Sequence, residues 1–393
     1  MNASRPVTAR AATTAMFFGN GLTMGAWAAA IPTLKAALGL SAASLSLALL
    51  ALSAGAVTMM PLAGSLAPRL GGSGRTTVLA GIALALVLGL PMLVPGLASL
   101  GLLCFLLGAN IGLLDVAMNA HASIVERQWG TPIMSSFHAG FSLGGFAGTG
   151  LGAVLLAIGV PGWSLMLPAA GIVLVLTLIS ARYLGPGDVR PASGASFRLP
   201  ERKVLGLATI ALCCFLIEGA MVDWSSLYLI TIGATPSTAS FGFAAFSVTM
   251  VLGRLFGDPV VRVWGGQPVI TTGSLIAATG LTLAIVFPQA PVIVFGFALV
   301  GVGLSNVVPT LFSASARLGS SPAAGIAATA TVGYAGMLFG PPVIGAVAAQ
   351  WGLRVGVAVM AVAALAAAIL SLRTARSTAP RPVAAAGLAD RQP

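Results

Sequence analysis

Gly140-Phe-Ser-Leu-Gly-Gly-Phe-Ala-Gly-Thr-Gly-Leu-Gly152-Ala-Val returns, 193 residues further on, as Gly333-Tyr-Ala-Gly-Met-Leu-Phe-Gly-Pro-Pro-Val-Ile-Gly345-Ala-Val. The same offset carries Gly64 onto Gly257, Arg69 onto Arg262, Gly108 onto Gly301 and Phe146 onto Phe339. Near the start of each copy, Asn20-Gly21 and Trp27 resemble Glu218-Gly219 and Trp224 after a one-residue gap. One offset held across such distant positions marks a duplicated unit. Each copy holds six apolar runs, near or above the ~20 residues a helix needs to cross a hydrocarbon core of about 30 Å. Six is even, so the copies share one orientation and form a parallel repeat. The chain is expected to be an all-α membrane protein of twelve transmembrane helices in two parallel six-helix pseudo-repeats.

Composition agrees. Hydrophobic residues make up 58% and charged residues 7%, far from the ~25% charged of a soluble domain. Of the 19 basic residues, all but Lys35 and Arg354 fall in every second gap between apolar runs. Positive-inside bias then puts both termini in the cytoplasm. Arginine-rich, lysine-poor usage with abundant Ala and Gly suggests a GC-rich bacterial genome, so a bacterial inner membrane is expected. The net charge of +11 is explained by short loops that orient the helices and meet anionic lipid headgroups, and nucleic acid is not an expected partner. The boundaries expected are 1–10 for a cytoplasmic N-terminal segment, 11–183 and 204–375 for the two bundles, 184–203 for a basic cytoplasmic linker, and 376–393 for a disordered tail.

Several other classes fall away. Arg5 and Arg10 before an apolar stretch, with Ala26-Trp27-Ala28 beyond it, mimic a signal peptide, but the run continues through Ile31 and reads as a retained first helix. Gly148-Thr-Gly150-Leu-Gly152 neither follows a strand nor opens a soluble helix, so it is no dinucleotide loop. Gly140, Gly144 and Gly148 instead form a small-residue ridge for close helix packing. Cys104, Cys213 and Cys214 lie in apolar runs without His or acid at ligand spacing, and no metal or cofactor is expected. A membrane-embedded enzyme would need a nucleophile–base set that two histidines do not supply; a transporter-derived sensor, which a long polar tail or fused domain would favour, stays as a further alternative.

The scarce polar groups inside the spans are the candidates. Of eight acids, Asp115, Glu218 and Asp223 sit within apolar runs, where an ionisable group costs roughly 2.5–3.5 kcal/mol on insertion scales. Glu218 stands near mid-membrane on the seventh span. Asp223, five residues on, is turned ~140° away in an unbroken helix, although Gly219 between them would allow local unwinding. Either acid serves a proton or merely bonds neighbouring helices. Asp115 and Asn119 share one face of the fourth span. His138, at similar depth on the fifth, is within their expected reach as a proton relay or as a polar clamp. Arg254 and Asp258, four apart at the cytoplasmic end of the eighth span, read as an interfacial ion pair or a gate. Asn20, Asn110, Asn306, Trp224 and Tyr334 are polar or amphipathic groups on apolar helices. They suit a solute cavity, with amides for hydroxyls and an indole face for a ring.

These residues resemble a family. Twelve spans, parallel halves and a basic central linker are similar to the major facilitator superfamily, over essentially residues 10–375. Its loop between spans two and three typically reads Gly-x-x-x-Asp-Arg-x-Gly; here Gly64-Ser-Leu-Ala-Pro68-Arg69-Leu-Gly71 has Pro68 for the acid, and Gly257-Asp258-Pro-Val-Val261-Arg262-Val-Trp-Gly265 is one residue longer. The resemblance implies gating by Arg69, Arg254 and Asp258. More specific are Gly112-Leu-Leu-Asp115-Val-Ala-Met-Asn119, Pro132-Ile-Met-Ser-Ser-Phe-His138-Ala-Gly140-Phe-Ser and Glu218-Gly-Ala-Met-Val-Asp223-Trp224-Ser. They resemble the YbjJ-like bacterial inner-membrane branch, distantly similar to fucose:proton symporters, though Ala30 stands where members often carry a basic residue. What this implies is a secondary transporter working by alternating access, acting as a monomer. It would take up a polar, sugar-like small-molecule substrate with protons through Glu218, Asp115, Asp223 and His138. Proton-driven export of drugs or metabolites is the alternative, and an amine substrate stays open.

Overall fold

The computed structural model describes residues 6–40, 42–185, 187 and 202–378. Most of the expected linker and the tail from 379 lie outside the described residues. The helices are α1 (Pro6–Ala37), α2 (Ala42–Arg69), α3 (Ser73–Leu88), α4 (Leu97–Trp129), α5 (Met134–Ala157), α6 (Leu167–Ser180), α7 (Arg202–Thr231), α8 (Pro236–Leu255), α9 (Gly257–Trp264), α10 (Gly266–Val286), α11 (Ala290–Leu304), α12 (Val307–Leu318), α13 (Pro322–Trp351) and α14 (Leu353–Thr378). Ten spans are long and apolar enough to cross a membrane, α11 and α12 counting as one, and the bent pair α8–α9 makes an eleventh. The expected twelfth pass would be α1, 32 residues long, whose apolar run is interrupted by Thr13, Thr14, Asn20 and Thr23. Helices overrun the apolar runs at their ends, so α1 begins at Pro6 rather than Ala11 and α14 continues to Thr378.

Each half packs by the same plan. In the first, α1 lies on α5 and α6, α2 on α4, and α3 on α4 and α6; in the second, α7 lies on α13 and α14, α8 on α11, and α10 on α11 and α14. Apolar sequestration hardly drives helix pairing in lipid, so backbones must come close enough for dispersion to act. The glycine ridge does this. A Cβ on Gly144 or Gly148 would run into the Phe18 or Leu22 carbonyl of α1, and one on Gly21 or Gly25 into the Phe141 or Gly145 carbonyl of α5. The second half repeats it, with Gly336 against the Leu212 carbonyl. Likewise Gly108 abuts the Leu52 carbonyl and its counterpart Gly301 the Phe246 carbonyl. Repeated sequence has become repeated contact.

Two spans of the second half are broken. The chain bends 61° between α8 and α9, and α11 gives way to α12 at Ser305–Asn306. In each case a proline is the third residue of the segment that follows, Pro259 and Pro309. A proline removes the hydrogen bond to the carbonyl four residues back and its ring crowds that carbonyl, here on Leu255 and Ser305. By contrast α7 is continuous through Gly219, so the unwinding considered there does not occur. Gly219 serves instead to let α7 approach α13 closely, where an added Cβ would come 3.1 Å from the Met337 carbonyl oxygen.

The halves meet through α2 with α13, α5 with α8 and α9, and α12 with α4 and α5. The last two contacts gather at the face of the molecule where α1 begins, called here the terminal face.

Candidate functional site

Near mid-depth of the first half, Asp115 and Asn119 share a face of α4 as their spacing demands. The Asn119 amide donates to the Asp115 backbone oxygen at 2.9 Å and to Asp115 Oδ1 at 3.3 Å. That fixes the amide, so its Oδ1 faces His138 Nε2 on α5 at 3.2 Å. A carbonyl oxygen accepts, hence His138 Nε2 carries the hydrogen in this arrangement. His138 therefore reaches Asp115 through Asn119 and not directly. Its ring is boxed by Phe17 of α1 at 5.3 Å and by Phe312 of α12 at 5.8 Å. Phe312 belongs to the other half, so the box closes only when the halves are together.

Across the interface stand Glu218 on α7, Tyr334 on α13 and Arg254 on α8. Tyr334 lies in electrostatic range of Asp115, Glu218 and Arg254, and Arg254 in range of Glu218 and His138. Tyr334 is held by Phe215, ring centroids 4.9 Å apart. The Arg254 side chain is buried, with Nη1 donating to Ser142 Oγ of α5 at 2.8 Å and Nε to the Ser305 carbonyl at 3.4 Å. Buried Asp115 Oδ2 and Glu218 Oε1 have no hydrogen-bond partner among the described residues. The two halves thus contribute facing polar sets, Asp115–Asn119–His138 and Glu218–Tyr334–Arg254.

At the terminal face the halves are latched. Arg10 of α1 pairs with Asp258 of α9 at 3.8 Å, donates to Ser136 Oγ at 3.2 Å and lies 4.7 Å over the Trp129 ring. Arg317 of α12 pairs with Glu126 of α4 at 3.7 Å. Both acids also cap α5. Glu126 Oε2 accepts from the Ile133 and Met134 amides at 3.0 and 2.9 Å, and Asp258 Oδ1 accepts from the Ser136 amide at 3.1 Å. The unsatisfied N–H groups and positive dipole end of α5 are therefore shared between an acid of its own half and one of the other.

Several expected roles are relocated by this geometry. Arg254 and Asp258 do not pair, because the break after Leu255 sends Arg254 into the centre and Asp258 to the latch. Nor is Arg254 a loop cation. Arg69 is exposed at the end of α2 and joins no ion pair among the described residues. Asn306 is not in an open cavity: it sits at the α11–α12 break, donating to the Gly253 carbonyl at 2.9 Å and to Ser305 Oγ at 3.0 Å. Asp223 is exposed on α7, outside the polar sets. Trp224 lies against Gly345, whose Cβ would come 2.9 Å from the indole. Asn20 is buried with Oδ1 unpartnered among the described residues, and Asn110 leaves its amide nitrogen in the same state.

The latch partners Arg10, Glu126 and Arg317 were not singled out by sequence. One signal existed for Glu126: an acid in the last turn of a helix opposes the macrodipole and calls for a compensating partner.

Comparison with known proteins agrees with this architecture. The Major Facilitator Superfamily profile matches residues 207–391. An uncharacterized MFS-type transporter of Yersinia pestis is 39% identical over 344 residues, covering 87% of this chain and 89% of its own. The membrane protein MosC of Rhizobium meliloti is 34% identical over 348 residues, covering 86% and 83%. Among solved structures, the E. coli fucose:proton symporter superposes with a TM-score of 0.77 at 16% identity, over 95% of this chain and 99% of that one. At that identity the likeness is one of fold.

Proposed function

We propose that this chain, which belongs to the major facilitator superfamily of membrane transporters, is a secondary active carrier. It takes up a small polar solute with protons by alternating access across a bacterial inner membrane, acting as a monomer with both termini cytoplasmic. The observation that carries this reading is the pair of facing polar sets at mid-depth, above a face closed by contacts between the halves. Parallel-repeat carriers hold their solute at such an interface and rock the halves about it. A buried acid without a fixed counter-ion is a group that can be loaded with a proton, and structure alone rarely needs one there. Glu218 is assigned proton loading, with Asp115 next in line and His138 as relay or clamp. Asn20, Asn110 and Tyr334 supply donors and acceptors toward the solute, and Trp224 an apolar wall. Arg10, Asp258, Glu126 and Arg317 form the inner gate, which must part for release to the cytoplasm.

Purified protein in liposomes, given an inward proton gradient and a panel of labelled polar solutes, tests the reading. Accumulation of one of them that collapses with a protonophore is expected, and efflux driven by the same gradient would make the protein an exporter. A reporter active only outside the cell, fused after Ala379, should stay silent, and a signal there would sink the orientation.

A further inference from the structure

Arg254 is the buried charge that the first reading of the site leaves without a task. It bonds Ser142 of α5 and the Ser305 carbonyl at the α11–α12 break, within electrostatic range of Glu218 on α7 and Tyr334 on α13, with no carboxylate within ion-pair distance among the described residues. A guanidinium has five N–H donors in a rigid fork shaped for two oxygens. Here two donors are used, one on the half-exposed Ser142 hydroxyl and one on a carbonyl at 3.4 Å. Neither partner is an anion. Burying a cation with no carboxylate in direct contact is costly, and the natural complement of the free edge of the fork is a carboxylate. A doubly charged phosphate would call for a second cation. Neither polar set holds a second arginine or a lysine among the described residues.

We infer that Arg254 anchors a carboxylate of the transported solute, and that this carboxylate and Glu218 alternate as its counter-charge. The inference rests on the carrier reading above and names the solute class for the same site. With the site vacant, Glu218 as carboxylate balances Arg254. When the solute's carboxylate takes the fork, Glu218 takes a proton from a hydronium ion at the open face, an O–H bond forming on the carboxylate as one breaks in the hydronium and leaves water, and the set returns to neutrality. One anion and one proton then cross together, so each cycle moves no net charge. The other titratable groups facing this pair are Cys214, which shares α7 with Glu218, Tyr334 from α13, His138 from α5 and, through Tyr334, Asp115 from α4.

The test uses matched triads on one skeleton: gluconate, sorbitol and glucamine, then glucuronate, glucose and glucosamine. Thermal stabilisation of purified protein should come from a carboxylate member alone, with about one proton taken up per solute bound in weak buffer. Arg254→Gln should lower that affinity more than tenfold, Arg254→Lys should keep part of it, and Glu218→Gln should bind without proton uptake. In liposomes a pH gradient should drive accumulation, while a potassium-diffusion potential should not. If no carboxylate stabilises, if a neutral or amine member does so equally well, or if protons are released on binding, the anchor is overturned. Uptake of a neutral sugar would end this inference while sparing the carrier. Carboxylate binding with no flux in liposomes would do the reverse.

Discussion

In the first half the second and fourth spans run unbroken as α2 and α4, whereas their counterparts in the second half are each cut in two. Offset by 193, Pro259 stands where α2 has Leu66, and Pro309 where α4 has Val116. The two breaks are in contact. A Cβ on Gly253 would strike the Ser305 side chain, one on Gly257 would strike the Asn306 amide, and that amide bonds the Gly253 carbonyl. Polar groups have been divided in the same way. Asp115 and Asn119 map onto Val308 and Phe312, while Arg254 maps onto Pro61 and Tyr334 onto Phe141. The duplicated frame kept its glycine seams and let chemistry diverge, so each half holds what the other lacks. Since, among the described residues, the second half alone has the jointed spans and the buried cation, it is the half in which a local rearrangement would accompany the proposed rocking.

Four measurements would break or sharpen that contrast. The largest effect is expected from Glu218→Gln, which should abolish accumulation against a gradient yet preserve counterflow exchange, while Asn20→Ala leaves accumulation possible. Concentrative uptake by the Gln variant at the parental level would move coupling to Asp115. Next, Asn20→Ala should weaken solute binding about tenfold, as for a lost hydrogen bond worth roughly 1–1.5 kcal/mol. Asn306→Ala should leave affinity unchanged and instead lower stability by about 1–3 kcal/mol, by stranding a buried carbonyl. Equal affinity losses in calorimetry would mean that Asn306 faces the solute after all. Pro309→Val copies the first half into the second. It should raise thermal stability by restoring helix and slow turnover severalfold with binding intact, and unchanged turnover would show that the joint does not move. Smallest of all, Arg69→Ala should stay within about 0.5 kcal/mol of parental stability and leave transport unaltered, where Asp258→Ala raises accessibility of a Cys placed at Ser135 to a membrane-impermeant thiol reagent from the terminal face.

The fold was legible because two independent constraints coincide in the residues. Apolar length dictates spans, and the Gly140–Gly152 string with its copy dictates repetition and a ridge for close packing, though not that α1 and α7 are the helices it meets. The link among Asp115, Asn119 and His138 was legible too, since i, i+4 spacing sets one face and similar depth supplies the partner. Arg254 was not. Four-residue spacing pairs it with Asp258 on an ideal helix, and only a break between them turns the arginine inward. Gly257-Asp258-Pro259 carried that break in plain view, as did Pro309 three residues beyond Asn306, but a proline states where a helix yields and not which way it turns. The latch depended on contacts between residues far apart in sequence, such as Arg10 with Asp258, to which helical periodicity is blind.

The glycine seams have a mechanical consequence. Where Gly21, Gly25, Gly144 and Gly148 set α1 against α5 at backbone distance, there is no side-chain layer left to compress. Such a seam is stiff, and a stiff beam delivers at one end the displacement imposed at the other. If the proposed gate opens at the Arg10–Asp258 and Glu126–Arg317 contacts, the far ends of α1 and α5 would swing in step, with nothing in between to absorb the stroke. Substituting alanine for any of these glycines would insert a spacer into the beam. The expected cost would appear as slippage, with solute binding and gate opening both preserved but no longer keeping time with each other.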